Sequence, residues 1–324
     1  MSLIYKMTNS DLKFRFHTLV REKGGYRSHH AHFDKANLIT PERLELSMRD
    51  MQEKWRLYRS LKENYTEKDL ERRIASCVYN LAGQGCRNMR TFIDADSIVG
   101  MLPMNVAASM REKNKKFDVN IELATQPLEG VFGDSAKIFE QCCEVADVIG
   151  GLPSRDRDIG DVKHVQRILS IGKEMNKPVD VHVDQENNPE EKETEMLARE
   201  TIKAGMEGKV RAVHSISLSA HDKNYQHYVA DLLKDAGITV IICPSAAISM
   251  KPLDVVSPIH NSIAPIRLLA EHDVPLALGI DNIKDLFMPV CDGDLWFECR
   301  LLMEATRCYD LEFISDIATL PLNK

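Results

Sequence analysis

From about residue 85 onward, short apolar or β-branched runs alternate with longer amphipathic stretches. A continuous apolar run bounded by polar turn residues is the pattern of a strand buried on both faces, and apolar residues recurring at the helical period mark a helix packed on one. Their alternation predicts β/α units in a parallel sheet. Strand runs fall at 26–30, 88–93, 119–124, 147–151, 178–183, 210–214, 239–243 and 275–280, each followed by a helical pattern. Eight units of this size predict an α/β fold of the (β/α)8 TIM-barrel type. Two helical stretches, 41–64 and 67–82, lie between the first two strands where one would suffice, so 41–83 is an extra helical segment. Thr40 before Pro41 reads as a cap and helix start, and Thr66 with Asp69 as a capping box. The Arg/Lys/Glu-rich outer face of the first stretch reads as solvated rather than as a partner surface. No long Gly/Ser/Pro linker and no repeat shorter than the β/α unit interrupts the chain, which predicts one barrel domain over 1–324.

Composition narrows the functional classes. The 324 residues are 44% hydrophobic and 28% charged, enough for a large core. A formal charge of -7 argues against nucleic acid or an anionic membrane as partner and leaves a small molecule. Neither a long apolar run nor a signal-peptide pattern is present, so a cytoplasmic location is expected. Cysteines 77, 86, 142, 143, 243, 291, 299 and 308 form no CxxC pair and read as reduced, mainly buried thiols rather than a zinc knuckle.

Chemistry concentrates at predicted strand ends. In Ser28-His29-His30-Ala31-His32-Phe33-Asp34-Lys35, His30 and His32 stand one residue apart and so share a side of an extended chain. Active sites of β/α barrels are built from the C-terminal ends of the strands. The fifth ends in Val181-His182-Val183-Asp184, the sixth in Val213-His214-Ser215 and the eighth in Leu278-Gly279-Ile280-Asp281-Asn282. Taken singly, each is as readily a core histidine bonded to backbone or a helix-capping Asp. Together they make three His nitrogens and a carboxylate around one ion, with a further His beside it. A divalent ion there lowers the pKa of water to about 7, and a nearby carboxylate can move the proton.

The HxHxDK pattern at His30–Lys35, the His of strands five and six, and Gly279-Ile280-Asp281-Asn282 resemble the amidohydrolase superfamily, in its cytosine-deaminase-like branch. Ile283-Lys284-Asp285 with Gly293-Asp294, and Pro127-Leu128-Glu129-Gly130 against that branch's PQEG, extend the likeness across all eight strands. The resemblance implies His30, His32 and His182 as ligands of one divalent metal, zinc ahead of iron or manganese. It implies Asp281 as fourth ligand or base and His214 as a polarising group. No lysine ends strand four, where Gly150 to Arg155 stand, so a carbamylated lysine bridging two metals is not expected. The small β-sandwich usual in such proteins has no room here, which leaves a barrel flank for a subunit contact in a homo-oligomer.

Two departures limit the substrate. The deaminase pattern places a proton-donating Glu three residues after the strand-five His, where this chain has Gln185, with Glu186 and Asp184 as neighbours. A one-residue shift turns a strand side chain to the other face unless the backbone bulges, so Glu186 replaces the acid only with such a distortion. Leu128 stands where the substrate-reading Gln of PQEG would, which argues against cytosine. A metal-dependent amidohydrolase acting on a C–N bond of an amide, cyclic amide or N-substituted heterocycle follows. A deaminase of another aminated heterocycle and a catalytically silent metal-binding barrel are the alternatives. Gln126, Arg155, Asn282 and Asp285 are candidates to orient substrate, with Leu128 lining the site; loop hydrogen bonding or surface ion pairing is the plainer role for each polar one. Lys35 is expected to pair with a carboxylate, and His29, His221 and His260 to be ordinary core or loop residues. Met250 and the 244–247 turn are expected in the pocket wall.

Overall fold

The computed structural model describes residues 11–49, 51–186, 188–249 and 263–323; Met250 and His260 lie outside them. Among the described residues there are eight strands: β1 (Arg27–Ser28), β2 (Asn88–Asp94), β3 (Asn120–Gln126), β4 (Ile149–Gly151), β5 (Val179–Val183), β6 (Val210–His214), β7 (Thr239–Ile242) and β8 (Leu276–Leu278). All pairings are parallel, in the order β1-β2-β3 in one sheet and β4-β5-β6-β7-β8 in another. Each of the eight expected runs contains a strand, but the first is cut to two residues.

The sheets meet at two seams. The His29 N–H donates to Leu278 O and the Ile280 N–H to His30 O, both at 2.9 Å, with a bridge between Ala31 and Asp281. Between β3 and β4, the Val148 N–H donates to Leu123 O at 3.0 Å and the Thr125 N–H to Val148 O at 3.3 Å. These few bonds do not make a continuous ladder, which is why β1 and β4 are short.

Side chains also join the sheets. Arg90 of β2 bonds Asp180 of β5 at 2.7 Å and Glu122 of β3 at 2.6 Å, and Arg211 of β6 bonds Asp180 at 3.1 Å. Leu322 O, near the C-terminus, accepts from both arginines at 2.9 Å. Two residues further along the strands, on the same faces, Phe92, Ala124 and Val213 pack with Val148, Ile241 and Ala277 in a buried apolar layer. His182, two positions after Asp180 and paired with Val213, stands at the level of this layer and begins the candidate site.

The extra helical segment departs from expectation. The 41–64 stretch divides into a 3-10 stretch, Pro41–Met48, and a helix, Met51–Lys62. Leu44, Leu46 and Met48 recur at every second position, so no stripe at the helical period runs through both parts. Thr40 is extended (φ -119°, ψ 163°) before Pro41, but its hydroxyl caps nothing. Thr66 does cap the helix Glu67–Gly83, accepting from the Asp69 N–H at 3.3 Å, while the Asp69 carboxylate pairs with Arg72 and Arg73 instead of closing the box. The face of Met51–Lys62 expected to be solvated turns partly inward: Tyr58 and Lys62 are buried, and Arg59 reaches Glu129 at 2.9 Å.

Candidate active site

His182 is the fourth residue of β5 and shares the inward face of Asp180. Its Nδ1 lies 3.1 Å from Gly151 O. An imidazole that donates from Nδ1 to a carbonyl keeps its Nε2 lone pair free. His214 and Asp281 stand just where β6 and β8 give way to loops, with φ of +80° and +70°, and Asp184 after β5 has φ +49°. Left-handed backbone at non-glycine residues costs about 1–3 kcal/mol each and clusters at functional sites. Here it re-aims the chain at three strand ends.

The side chains converge. Ring centroids of His30 lie 4.8 Å from His32, 4.8 Å from His182 and 5.6 Å from His214. Asp281 Oδ1 is 3.3 Å from His30 Nε2 and 3.1 Å from His32 Nε2. One ligand atom from each of His30, His32 and His182, and likewise from His30, His214 and Asp281, lies within 4.8 Å of the others in its set. Both ring nitrogens of His30, Nε2 of His182, and Nδ1 of His32 and of His214 are buried without a hydrogen-bond partner. Leaving so many buried nitrogens unpaired is costly unless something binds them.

Electrostatics favour the same conclusion. Burial, with Lys35 close by, pulls the His32 imidazole down to about 3. Burial takes His214 to about 4, and burial with neighbouring His30 takes His182 well below its ordinary value. Burial alone would raise Asp281, but its contacts with His30 and His32 more than offset this and hold it well below the usual carboxylate range. Neutral imidazoles offering lone pairs beside one carboxylate are a nitrogen-and-oxygen donor set that fits a zinc-type divalent ion.

Phe92 forms the floor of this cluster, its ring 4.5 Å from His30, 5.6 Å from His32 and 4.9 Å from His182. Gly150 makes room for it, because a Cβ there would collide with Thr125 O and press on the Phe92 ring. An aromatic two positions after the inward Arg90 was the available sequence signal, but only the strand pairing shows which histidines it meets.

The substrate candidates scatter around this centre. Gln126 ends β3, buried, with its Oε1 unpartnered. Leu128 packs with Tyr58, Leu152 and Leu286, and the Arg155 Nε donates to Leu128 O at 2.6 Å. Asn282 donates to Asp285, which also accepts from the backbone of Phe287 and Met288 at 2.9 and 3.0 Å and so shapes the loop after β8. Asp184 turns away to cap the helix Glu193–Ala204, accepting from the Glu193 N–H at 2.8 Å and the Thr194 N–H at 3.2 Å. Gln185 and Glu186 are half-buried, and no hydrogen bond or ion pair among the described residues joins their side chains to the histidines. Lys35 sits 3.6 Å from Asp94 Oδ1. His29 bonds Leu320 O at 2.8 Å and His221 bonds Glu191 O at 2.7 Å, both structural contacts. Of the expected wall after β7, Ala246 packs with Cys243 and Met288, and Ser245 is held by Glu298. All eight cysteines are free thiols, seven of them buried.

No family model matches the chain. A Haemophilus influenzae protein described as uncharacterized is 35% identical over 258 residues, covering 77% of this chain and 93% of that protein. A pterin deaminase of Rhizobium rhizogenes is 24% identical over 258 residues, 79% of this chain and 58% of the relative. An N-isopropylammelide isopropyl amidohydrolase of a Pseudomonas species is 23% identical over 277 residues, 84% and 65% respectively. Over most of its own length the chain is thus similar to a deaminase and to an amidohydrolase. It spans less than two thirds of the length of these two enzyme relatives. It shares its fold with 5-methylcytosine deaminase from Klebsiella pneumoniae, with a TM-score of 0.82 at 21% identity over 90% of this chain and 72% of that one. No helix among the described residues is long and apolar enough to cross a membrane.

Proposed function

We propose that the chain is a metal-dependent hydrolase of a C–N bond in a small nitrogenous compound, built as one domain in which the two sheets complete a single (β/α)8 ring. The convergence of His30, His32, His182, His214 and Asp281 carries this conclusion. His30, His32 and His182 would hold one divalent ion, zinc ahead of iron or manganese, with Asp281 as fourth ligand or base. Such an ion supplies Lewis acidity and lowers the pKa of water to about 7. Asp281, kept anionic between His30 and His32, takes the proton of the attacking water on a carboxylate oxygen and returns it to the leaving nitrogen. His214 brings its unpartnered Nδ1 to polarise water or substrate. Gln185 cannot shuttle a proton, so a substrate that needs no ring-nitrogen protonation suits the site: an amide, a cyclic amide or an N-substituted heterocycle. The likeness to the amidohydrolase relative agrees with this. The likeness to pterin deaminase favours the second possibility, deamination of an aminated heterocycle with Glu186 or a water relay moving the proton.

Metal analysis and two variants test these roles. His182→Ala is expected to lose both metal and activity, and full metal retention in that variant rejects the ligand assignment. Gln185→Glu is expected to keep its metal; if it gains ammonia release from aminated heterocycles, the acid was the missing part for deamination. A cytoplasmic location suits the free thiols, and light scattering of the purified protein tests the homo-oligomer.

A further inference from the structure

Arg155 ends the short 3-10 turn Pro153–Arg155 that follows β4. Its Nε is spent on Leu128 O, and its guanidinium lies 4.5 Å over the Trp55 ring. The two Nη groups have no partner among the described residues. Every carboxylate in its neighbourhood is engaged elsewhere. Glu129 pairs with Arg59 at 2.9 Å and Lys62 at 3.9 Å, Asp96 pairs with Lys62, and Asp156 holds His164 at 2.5 Å and the Val131 N–H at 2.9 Å. Lys54, next to Trp55 in sequence, is half-buried and also forms no ion pair among the described residues. Burial lowers both cations from their ordinary ranges, and the surrounding carboxylates offset it only in part. Two under-neutralised cations are an exception in a chain of formal charge -7.

Tethering Leu128 needs only one of the five N–H groups of the fork. The indole fixes the plane and the Nε bond fixes the rotation, so the remaining Nη edge is a preorganised bidentate donor. Leu128 connects it to the site: it packs with Tyr58, whose hydroxyl bonds Asp94 beside Lys35. We propose that the Nη edge of Arg155 binds a carboxylate carried by the substrate, so that the compound whose C–N bond is cleaved is itself a carboxylic acid. The substrate class rests on the hydrolase function proposed above; the anion site does not.

Calorimetry on the metal-loaded protein with three matched pairs tests it: uracil and orotate, hydantoin and hydantoin-5-acetate, pterin and pterin-6-carboxylate. In at least one pair the acid is expected to bind tighter by about tenfold or more, the size of a charge-assisted bidentate contact. Arg155→Gln should abolish that preference, bringing the ratio of the acid's Kd to its neutral partner's close to one whatever the loss of the Leu128 tether does to both. Arg155→Lys, which keeps charge without the fork, should retain part of it, and a thermal melt of each variant separates loss of binding from loss of fold. Acids that bind no tighter in any pair, or a preference that survives in folded Arg155→Gln, overturn the anion site. Turnover of neutral amides without acid preference leaves the hydrolase standing and removes the anion site; acid preference without turnover on any panel does the reverse.

Discussion

The Tyr58 hydroxyl donates to Asp94 Oδ2 across 2.6 Å, tying the helix Met51–Lys62 to the end of β2. Lys62 pairs with Asp96 and Arg59 with Glu129, so the extra segment is clamped onto the mouth of the candidate site by its own polar side chains. A hydrogen bond to a buried charged group is worth about 1.5–3 kcal/mol. Tyr58→Phe is expected to lower the unfolding free energy by that order in a urea titration. Because the helix is tied to the end of β2 and to the loop after β3, substrate affinity should fall with it; an unchanged midpoint would show that the clamp contributes nothing.

Gly130 explains its place in Pro127-Leu128-Glu129-Gly130. Its φ is +78°, and a side chain there would run into the Asp156 carboxylate. That carboxylate also holds the His164 Nδ1 and the Val131 N–H, and the His164 Nε2 accepts from the Leu152 N–H at 2.9 Å. Gly130→Ala should cost about 1–3 kcal/mol through backbone strain and displacement of Asp156. A thermal melt at or above the wild-type midpoint contradicts it.

Asp180 lies fully buried between Arg90 and Arg211. Burial alone would raise its pKa, and the two arginines more than offset this and hold it below the ordinary value. Its contribution is therefore present above the ordinary carboxyl range and is lost as pH falls through the depressed value. Asp180→Ala, which removes the buried carboxylate that Arg90 and Arg211 share while leaving Arg90 its bond to Glu122 and both arginines Leu322 O, should cost about 3 kcal/mol at neutral pH. Chemical denaturation at pH 7 measures it, and a loss below about 1 kcal/mol would mean that the arginines find other partners.

Glu193 behaves in the opposite sense. Burial first, then Asp184, Glu191 and Asp161, push it up to about 8, and Arg157 at 3.9 Å is too distant and exposed to reverse this. The folded protein keeps a proton that the unfolded chain releases near 4.5, so stability should decline between about pH 4.5 and pH 8, by at most about 1.4 kcal/mol per unit, and level off above. Glu191, raised to about 7 by burial, adds to the lower part of that window. Glu193→Gln should flatten the profile and be more stable than wild type at pH 8. Unfolding midpoints at pH 5, 6, 7 and 8 decide it, and parallel profiles for the two proteins would refute the assignment.

The one-dimensional pattern held the eight strand positions, the parallel order and the five side chains of the candidate centre, because inward parity along a strand and position at its C-terminal end are both readable from spacing. It also held the pairing tendency of Lys35. Left to the tertiary structure were relationships between elements remote in sequence. Phe92 beneath three histidines, Gly150 making room for it, and Arg155 laid on Trp55 depend on which strands and loops become neighbours. The division of 41–64, the inward turn of Tyr58 and Lys62, and the pairing of exposed Arg59 with Glu129 were equally hidden, since a basic helix face reads as solvated until carboxylates from β2 and the loop after β3 arrive opposite it. Local chemistry fixes what a residue can do, while its partner is set by packing across a hundred or more positions, where sequence spacing carries no distance.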